Sequence, residues 1–199
     1  MSRSIVNWLR RAAVCVAVVA TLPVISSPAL AAHVTVDDTR HDMWRVEEGG
    51  TQPAPRPKAA IGDFVRASFK HSDARVRVTA KFVELARTGR RFALWVDVRN
   101  EDGKKTIAGV ITTRRDRGGR ALLMTNRGRD IDCRVRHSID YKQDTVRVSF
   151  PRRCIDNPRY LQFRAMSEHV RRNWAYAYLD NPHNNKAVSR SWTEKVRHG

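Results

Sequence analysis

Carboxylates and guanidinium groups, set at short repeating intervals, carry the chemistry this sequence offers. Asp37, Asp38 and Asp42 fall within six residues, and Asp180 and Asn181 add oxygen donors near the other end. Hard oxygen donors of this kind are what Ca²⁺ takes. The spacing is not that of an EF-hand loop, and Asp and Asn serve equally as turn and capping residues, so a Ca²⁺ set and a turn-forming set both stand. A second set is basic. Arg75, Arg77 and Lys81 recur at even intervals, Arg134 and Arg136 do the same, and Arg147 joins them across a hairpin. Guanidinium forks take phosphate and carboxylate bidentately, which makes these six a candidate polyanion-binding surface. The competing reading is a solvated outer face in which arginine stems cover the sheet. Trp95 shares a strand side with Asp97 and Arg99, where an exposed ring stacks on a sugar and a covered one packs against a loop.

Other reactive types are present without a pattern. The seven histidines, His33, His41, His71, His137, His169, His183 and His198, include no pair at metal-ligand spacing. There is no G-x-S-x-G, no P-loop and no G-x-G-x-x-G after a strand. Paired carboxylates of a hydrolase assemble from distant segments and leave no local signature, so a secreted hydrolase stays as an alternative with nothing pointing to it.

The start of the chain sets the compartment. Arg3, Arg10 and Arg11 precede an apolar stretch over 12–25, and Ala29 and Ala31 form an A-x-A cleavage pattern. This reads as a signal peptide over 1–31, with the mature chain secreted and starting at Ala32. Fourteen apolar residues interrupted by Pro23 are short for a membrane anchor, and no other stretch is apolar enough for a span. Cleavage removes Cys15 and leaves Cys133 and Cys154 in an oxidising compartment, where a disulfide is the expected state. The chain carries +18, with 30 Arg against 8 Lys; the leader holds +3, leaving +15 on the mature part. Such charge draws anionic polysaccharide or cell-wall polymer, and nucleic acid only non-specifically; it also follows from an arginine-rich composition that serves solubility.

The elements that must position these groups read as strands. Residues 32–60 open with an acidic start and pass into a Pro/Gly-rich mobile loop, with short strands expected at 33–36 and 43–46. From 61 to 199 the pattern is alternation: Val76, Val78, Ala80 and Phe82 face one way, and Phe92, Leu94, Val96 and Val98 repeat it. Further strands fit 63–70, 106–113, 121–125, 131–139, 145–150, 160–165 and 174–179, while 166–174 offers at most a turn or two of helix. About 8–10 strands with turns every ten residues or so predict an all-β, antiparallel β-sandwich or jelly roll, with 32–60 packed on the 61–199 core as one domain. A closed barrel is the alternative.

The cysteines fit this pattern. With Gln143-Asp144 as a two-residue turn, Tyr141 faces Val146, Ile139 faces Val148, His137 faces Phe150 and Cys133 faces Cys154. All lie on one face, because side chains alternate with period two. The bridge closes a loop of about 22 residues, worth roughly 3 kcal/mol on the chain-entropy account.

The opening run 36–42, then Ile61-Gly62-Asp63-Phe64, Phe69-Lys70-His71-Ser72 and the close 192–199 together resemble a group of exported actinobacterial proteins without assigned function, similar to carbohydrate-binding, DOMON-like sandwiches. The resemblance implies a ligand-binding or surface protein and no catalytic residues. It also implies calcium at the acidic opening, carried here by Asp37, Asp38 and Asp42. The leading expectation is a secreted, non-catalytic protein recognising anionic or carbohydrate envelope polymers, and the second is an accessory exported protein with no specific ligand.

Overall fold

The computed structural model describes residues 32–50, 52–171 and 174–199; the expected signal peptide, with Cys15, lies outside them. Thirteen strands are present among the described residues: β1 (His33–Asp37), β2 (Trp44–Glu47), β3 (Ala54–Pro55), β4 (Phe64–His71), β5 (Arg75–Phe82), β6 (Arg91–Asn100), β7 (Lys105–Thr113), β8 (Arg120–Thr125), β9 (Arg136–Asp140), β10 (Thr145–Pro151), β11 (Tyr160–Arg171), β12 (Tyr176–Asp180) and β13 (Val196–Arg197). They form a five-stranded sheet ordered β1-β4-β5-β10-β9 and an eight-stranded assembly ordered β3-β2-β12-β11-β6-β7-β8, with β13 paired to β11. Every strand pair is antiparallel. No helix of the described residues is long and apolar enough to cross a membrane.

The alternation does what period two requires. Val76, Val78, Ala80 and Phe82 are buried, as are Phe92, Leu94, Val96 and Val98. The inner faces of the two sheets meet through rings: Phe69 of β4 stacks on Phe163 of β11 at 4.9 Å, and Phe82 of β5 meets Phe92 of β6 edge-on at 5.5 Å. Each such buried ring contributes about 1.5–3 kcal/mol by leaving water. Residues 32–60 are built into both layers, β1 against β4 and β2 against β12.

Four details depart from expectation. Residues 166–171, where at most a turn or two of helix was expected, are strand, because β11 runs on to Arg171 with Ser167 and His169 taking inward positions. A two-residue strand, β3, forms in the Pro-rich loop; Pro55 is tolerated because β3 is an edge strand that owes no second ladder bond. The β9–β10 turn spans 141–144, so Ile139 pairs with Val146 and His137 with Val148, a shift of two that preserves every face. The expected strand over 131–139 is laddered only from Arg136. Beyond it, Cys133 lies in extended chain and Cys154 in a 3₁₀ turn over Arg152–Ile155, and the two still form a disulfide with Cα atoms 6.1 Å apart.

Candidate functional site

The adjacency of β4, β5, β10 and β9 turns isolated basic residues into a surface. Lys70 pairs with Arg77, Arg77 with Ser149, and Ser149 with Arg136, so one row crosses four strands on the face turned away from the core. The next row holds Ser68, Thr79, Arg147 and Ser138. Strand spacing of about 4.8 Å sets Arg77 and Arg136 roughly 10 Å apart in backbone terms. Arg75 donates to the backbone oxygen of Ser149 at 3.0 Å and to its hydroxyl at 3.2 Å. Its guanidinium is held below the usual arginine range, first by burial and then by the fields of Arg136, Arg77, Arg134 and Arg153. Arg134 and Arg153 thus lie within electrostatic reach of Arg75; Arg153 sits in the 3₁₀ turn, outside the alternation pattern.

Four of the six expected cations therefore share this face, Arg75, Arg77, Arg136 and Arg147, with Arg134 within electrostatic reach of Arg75. Lys81 is drawn to its margin, donating to the Gln143 carbonyl at 2.5 Å with Asp144 3.8 Å away. Lys70 belongs to the row and was legible as the even-interval partner of Arg66 and Ser68. None of the ion pairs among the described residues involves Lys70, Arg77, Arg134, Arg136, Arg147 or Arg153.

The acidic residues converge elsewhere, where the ends of β1 and β12 and the starts of β2 and β4 meet. One carboxylate oxygen from each of Asp38, Asp42 and Asp180 lies within 4.8 Å of the others. Asp63, fully buried, stands against them and exchanges its field with Asp42 and Asp180. Part of the set is bound by backbone: Asp180 accepts from the Phe64 amide at 2.6 Å and the Asn181 amide at 2.8 Å, Asp63 from His41 at 2.8 Å, and Asp38 from Thr39 at 2.8 Å. Four shielded oxygens of the cluster have no hydrogen-bond partner among the described residues: Asp38 Oδ2, both of Asp42, and Asp63 Oδ1.

The electrostatics follow. Burial raises the Asp38 carboxyl far above the carboxylate range, with Asp180 and Asp42 adding to it. Asp180 is raised by burial against the pull of the Phe64 amide, Asp63 is pushed up by burial to about 6, and Asp42 is raised by burial. These are oxygen donors held close together without an ion-paired arginine or lysine among the described residues, and they suit a hard divalent cation.

Two expected ligands fall outside the cluster. Asp37 points to the outer face by alternation and pairs with Arg66. Asn181 organises the following turn, its Oδ1 accepting from His183 and Asn184 and its Nδ2 donating to Lys186. Asp63 was overlooked because it reads as the first residue of a strand; its place between Gly62 and buried Phe64 was the available signal.

Trp95, half-buried, lines a small cleft with Asp97 and Arg164 and is held on one side by packing. Its indole N–H donates to Glu168 at 3.2 Å, and its ring lies so close to Gly109 that a Cβ there would come within 2.8 Å. His137 turns its Nε2 to the carbonyls of Gly118 and Gly119; His71 has its Nδ1 3.1 Å from the Val196 carbonyl, and burial holds it below the ordinary histidine range against the opposing pull of that carbonyl.

The chain matches no protein-family model, and no curated protein matches it either. The class rests on the fold: an antiparallel, disulfide-bridged β-sandwich.

Proposed function

We propose that this is an exported, non-catalytic binding protein that holds an anionic envelope polymer against the outer face of its five-stranded sheet. The observation that carries this reading is the row Lys70–Arg77–Ser149–Arg136, where cations on three of four adjacent strands stand without acidic partners. A regular array of guanidinium forks suits a chain that repeats phosphate or carboxylate groups, and it reads charge spacing more than sequence. The signal peptide over 1–31 puts cell-wall and capsular polymers ahead of chromosomal DNA as partners.

Column retention tests this. The protein should be held on immobilised teichoic acid and heparin at low salt and released progressively as salt rises. Flow-through on both at about 0.05 M salt would contradict it.

A second reading is favoured by the unpartnered oxygens of Asp38, Asp42 and Asp63: the acidic cluster takes Ca²⁺, which joins the strand ends of both sheets and stabilises the fold that displays the basic face. Calcium here is structural, and its readout is thermal stability.

A further inference from the structure

A third feature lies on the outer face of the eight-stranded assembly and owes nothing to the polymer-binding row. Pairing of Arg91 with Thr113 and of Ile111 with Arg120 sets these four side chains on one face of β6, β7 and β8. With Arg90, Arg114, Arg115 and Trp174 they line a cleft of about 830 Å³, a volume suited to a small-molecule ligand.

Its walls are organised. In the β7–β8 turn, Asp116 accepts from the Gly119 amide at 2.9 Å, and the Thr113 amide donates back to the Asp116 carbonyl at 2.9 Å. Arg117 donates to the carbonyls of Thr88 and Gly89, fastening that turn to the chain entering β6. Gly119, at φ 76°, has no room for a side chain: a Cβ would come within 2.9 Å of the Ile111 carbonyl. Opposite, Trp174 is 41% exposed and holds a left-handed backbone at φ 77°, a conformation that costs a bulky residue about 1 kcal/mol or more. The Arg91 guanidinium lies 4.2 Å from its ring centroid and is itself fixed by Glu168 at 2.6 Å.

The charge count then limits the ligand. Arg91 is neutralised by Glu168, whereas Arg114, Arg115 and Arg120 enter no ion pair among the described residues. A guanidinium does not shed its proton, so Arg114, Arg115 and Arg120, with Arg90 on the same lining, favour an anion of at least two charges. One phosphate monoester or a diphosphate has that charge and the geometry for arginine forks, and the exposed indole adds a surface for a ring.

We propose that this cleft binds a phosphate-bearing ring compound, with Arg114, Arg115 and Arg120 holding the phosphate and Trp174 stacking on the ring. The ring comes from a sugar or from a nucleobase, and the probes separate the two.

The test is calorimetric titration of the purified protein with pyrophosphate, fructose 1,6-bisphosphate and adenosine diphosphate at about 0.15 M salt, with tryptophan fluorescence followed in parallel. At least one ring-bearing probe should occupy a single saturable site about tenfold more tightly than pyrophosphate, the margin expected of one stacking contact. Preference for the bisphosphate assigns a sugar ligand, and preference for the diphosphate a nucleotide. Arg114→Ala and Arg120→Ala, both at exposed positions, should weaken every probe about tenfold or more. Trp174→Ala should erase the advantage of the ring and leave pyrophosphate binding in place. The double reversal Arg77→Glu/Arg136→Glu, on the other sheet, should change none of these. Absence of saturable binding, pyrophosphate binding as well as either ring compound, or binding indifferent to both Arg114→Ala and Arg120→Ala would each overturn the assignment.

Discussion

Arg77 and Arg136, on strands separated by β10, stand in one row of the five-stranded sheet with only Ser149 between them. Neither enters a salt bridge among the described residues, and Arg75 bonds to that same Ser149 with its guanidinium. Three like charges crowded around one serine raise the energy of the free surface, and an anion lowers it. The binding reading, the stability of the scaffold and the chemistry of the acidic cluster each give an expected outcome.

The disulfide ties the extended chain before β9 to the 3₁₀ turn after β10, outside the ladder that joins those strands. Replacing both Cys133 and Cys154 with Ser is expected to lower stability by about 3 kcal/mol, measured by denaturant unfolding. Intact mass after alkylation without reductant should show no label at either residue of the described fold. Uptake at both would contradict the bridge.

Calcium and protons compete at the acidic cluster. The folded state raises the carboxyls of Asp38, Asp42, Asp63 and Asp180, so over the window above the ordinary carboxylate range the folded chain holds more protons than the unfolded one. Their contribution is full at low pH and is lost as pH rises through about 6 for Asp63 and higher for Asp38. In EDTA the melting midpoint should therefore fall between pH 5 and pH 8. Added Ca²⁺ should restore it at pH 8 and do little at pH 5, and Asp42→Asn should remove that response. A midpoint indifferent to both EDTA and Ca²⁺ at pH 8 contradicts the cluster's role.

His169 contributes to the acid limit, alongside His183, which burial also pushes down to about 4. His169 is 1% exposed and pushed down to about 4, chiefly by burial and then by Arg171. A group whose folded value is depressed contributes above its ordinary value near 6.5 and is lost as pH falls through 4. The loss by the end of that window is about 3 kcal/mol. Thermal melts of His169→Gln should be lower than wild type at pH 7 and converge with it at pH 4. A constant gap across that range would mean that protonation of His169 is not what destabilises the fold.

Trp95 tests packing against ligand stacking. Gly109→Ala drives a Cβ into its ring and should cost about 1–3 kcal/mol in urea unfolding, with a changed near-ultraviolet spectrum. Trp95→Ala should cost about 3–5 kcal/mol and leave polymer affinity as it is. A stable Trp95→Ala protein that loses carbohydrate affinity would return the ring to a binding role.

Much of the fold was legible because burial of one face forces period two. The strands at Arg75–Phe82 and Arg91–Asn100 follow directly from their apolar residues. The register of the cysteine hairpin was not, and the cause is tertiary. Tyr141 continues the alternation by type, yet its hydroxyl donates to the Arg117 carbonyl at 2.9 Å and Arg87 lies over its ring, while Asp140 accepts the amides of Lys142 and Gln143. Arg117 and Arg87 are distant in sequence, and their contacts, with the local Asp140 bonds, accompany a four-residue turn over 141–144. In the same way β11 hides its second half, since Ser167 and His169 fill inward positions and their partners, the Gly62 and Thr88 carbonyls, are distant in sequence. The acidic cluster was half legible. Proximity drew attention to Asp37 and Asp38 alike, but neighbouring residues on a strand face opposite ways, and only Asp38 turns inward toward Asp180.

The most direct measurement is the affinity of the protein for a teichoic acid chain of defined length, compared between wild type, Arg77→Glu/Arg136→Glu and Arg114→Glu/Arg120→Glu over a range of salt. Reversal at Arg77 and Arg136 should weaken binding by about a hundredfold or more and flatten the dependence of log affinity on log salt by about 0.7–0.9 for each phosphate no longer neutralised. The Arg114/Arg120 reversal carries the same change in net charge on the opposite sheet and should leave most of the affinity in place. Equal losses in the two variants, or none in either, would contradict recognition by the five-stranded face.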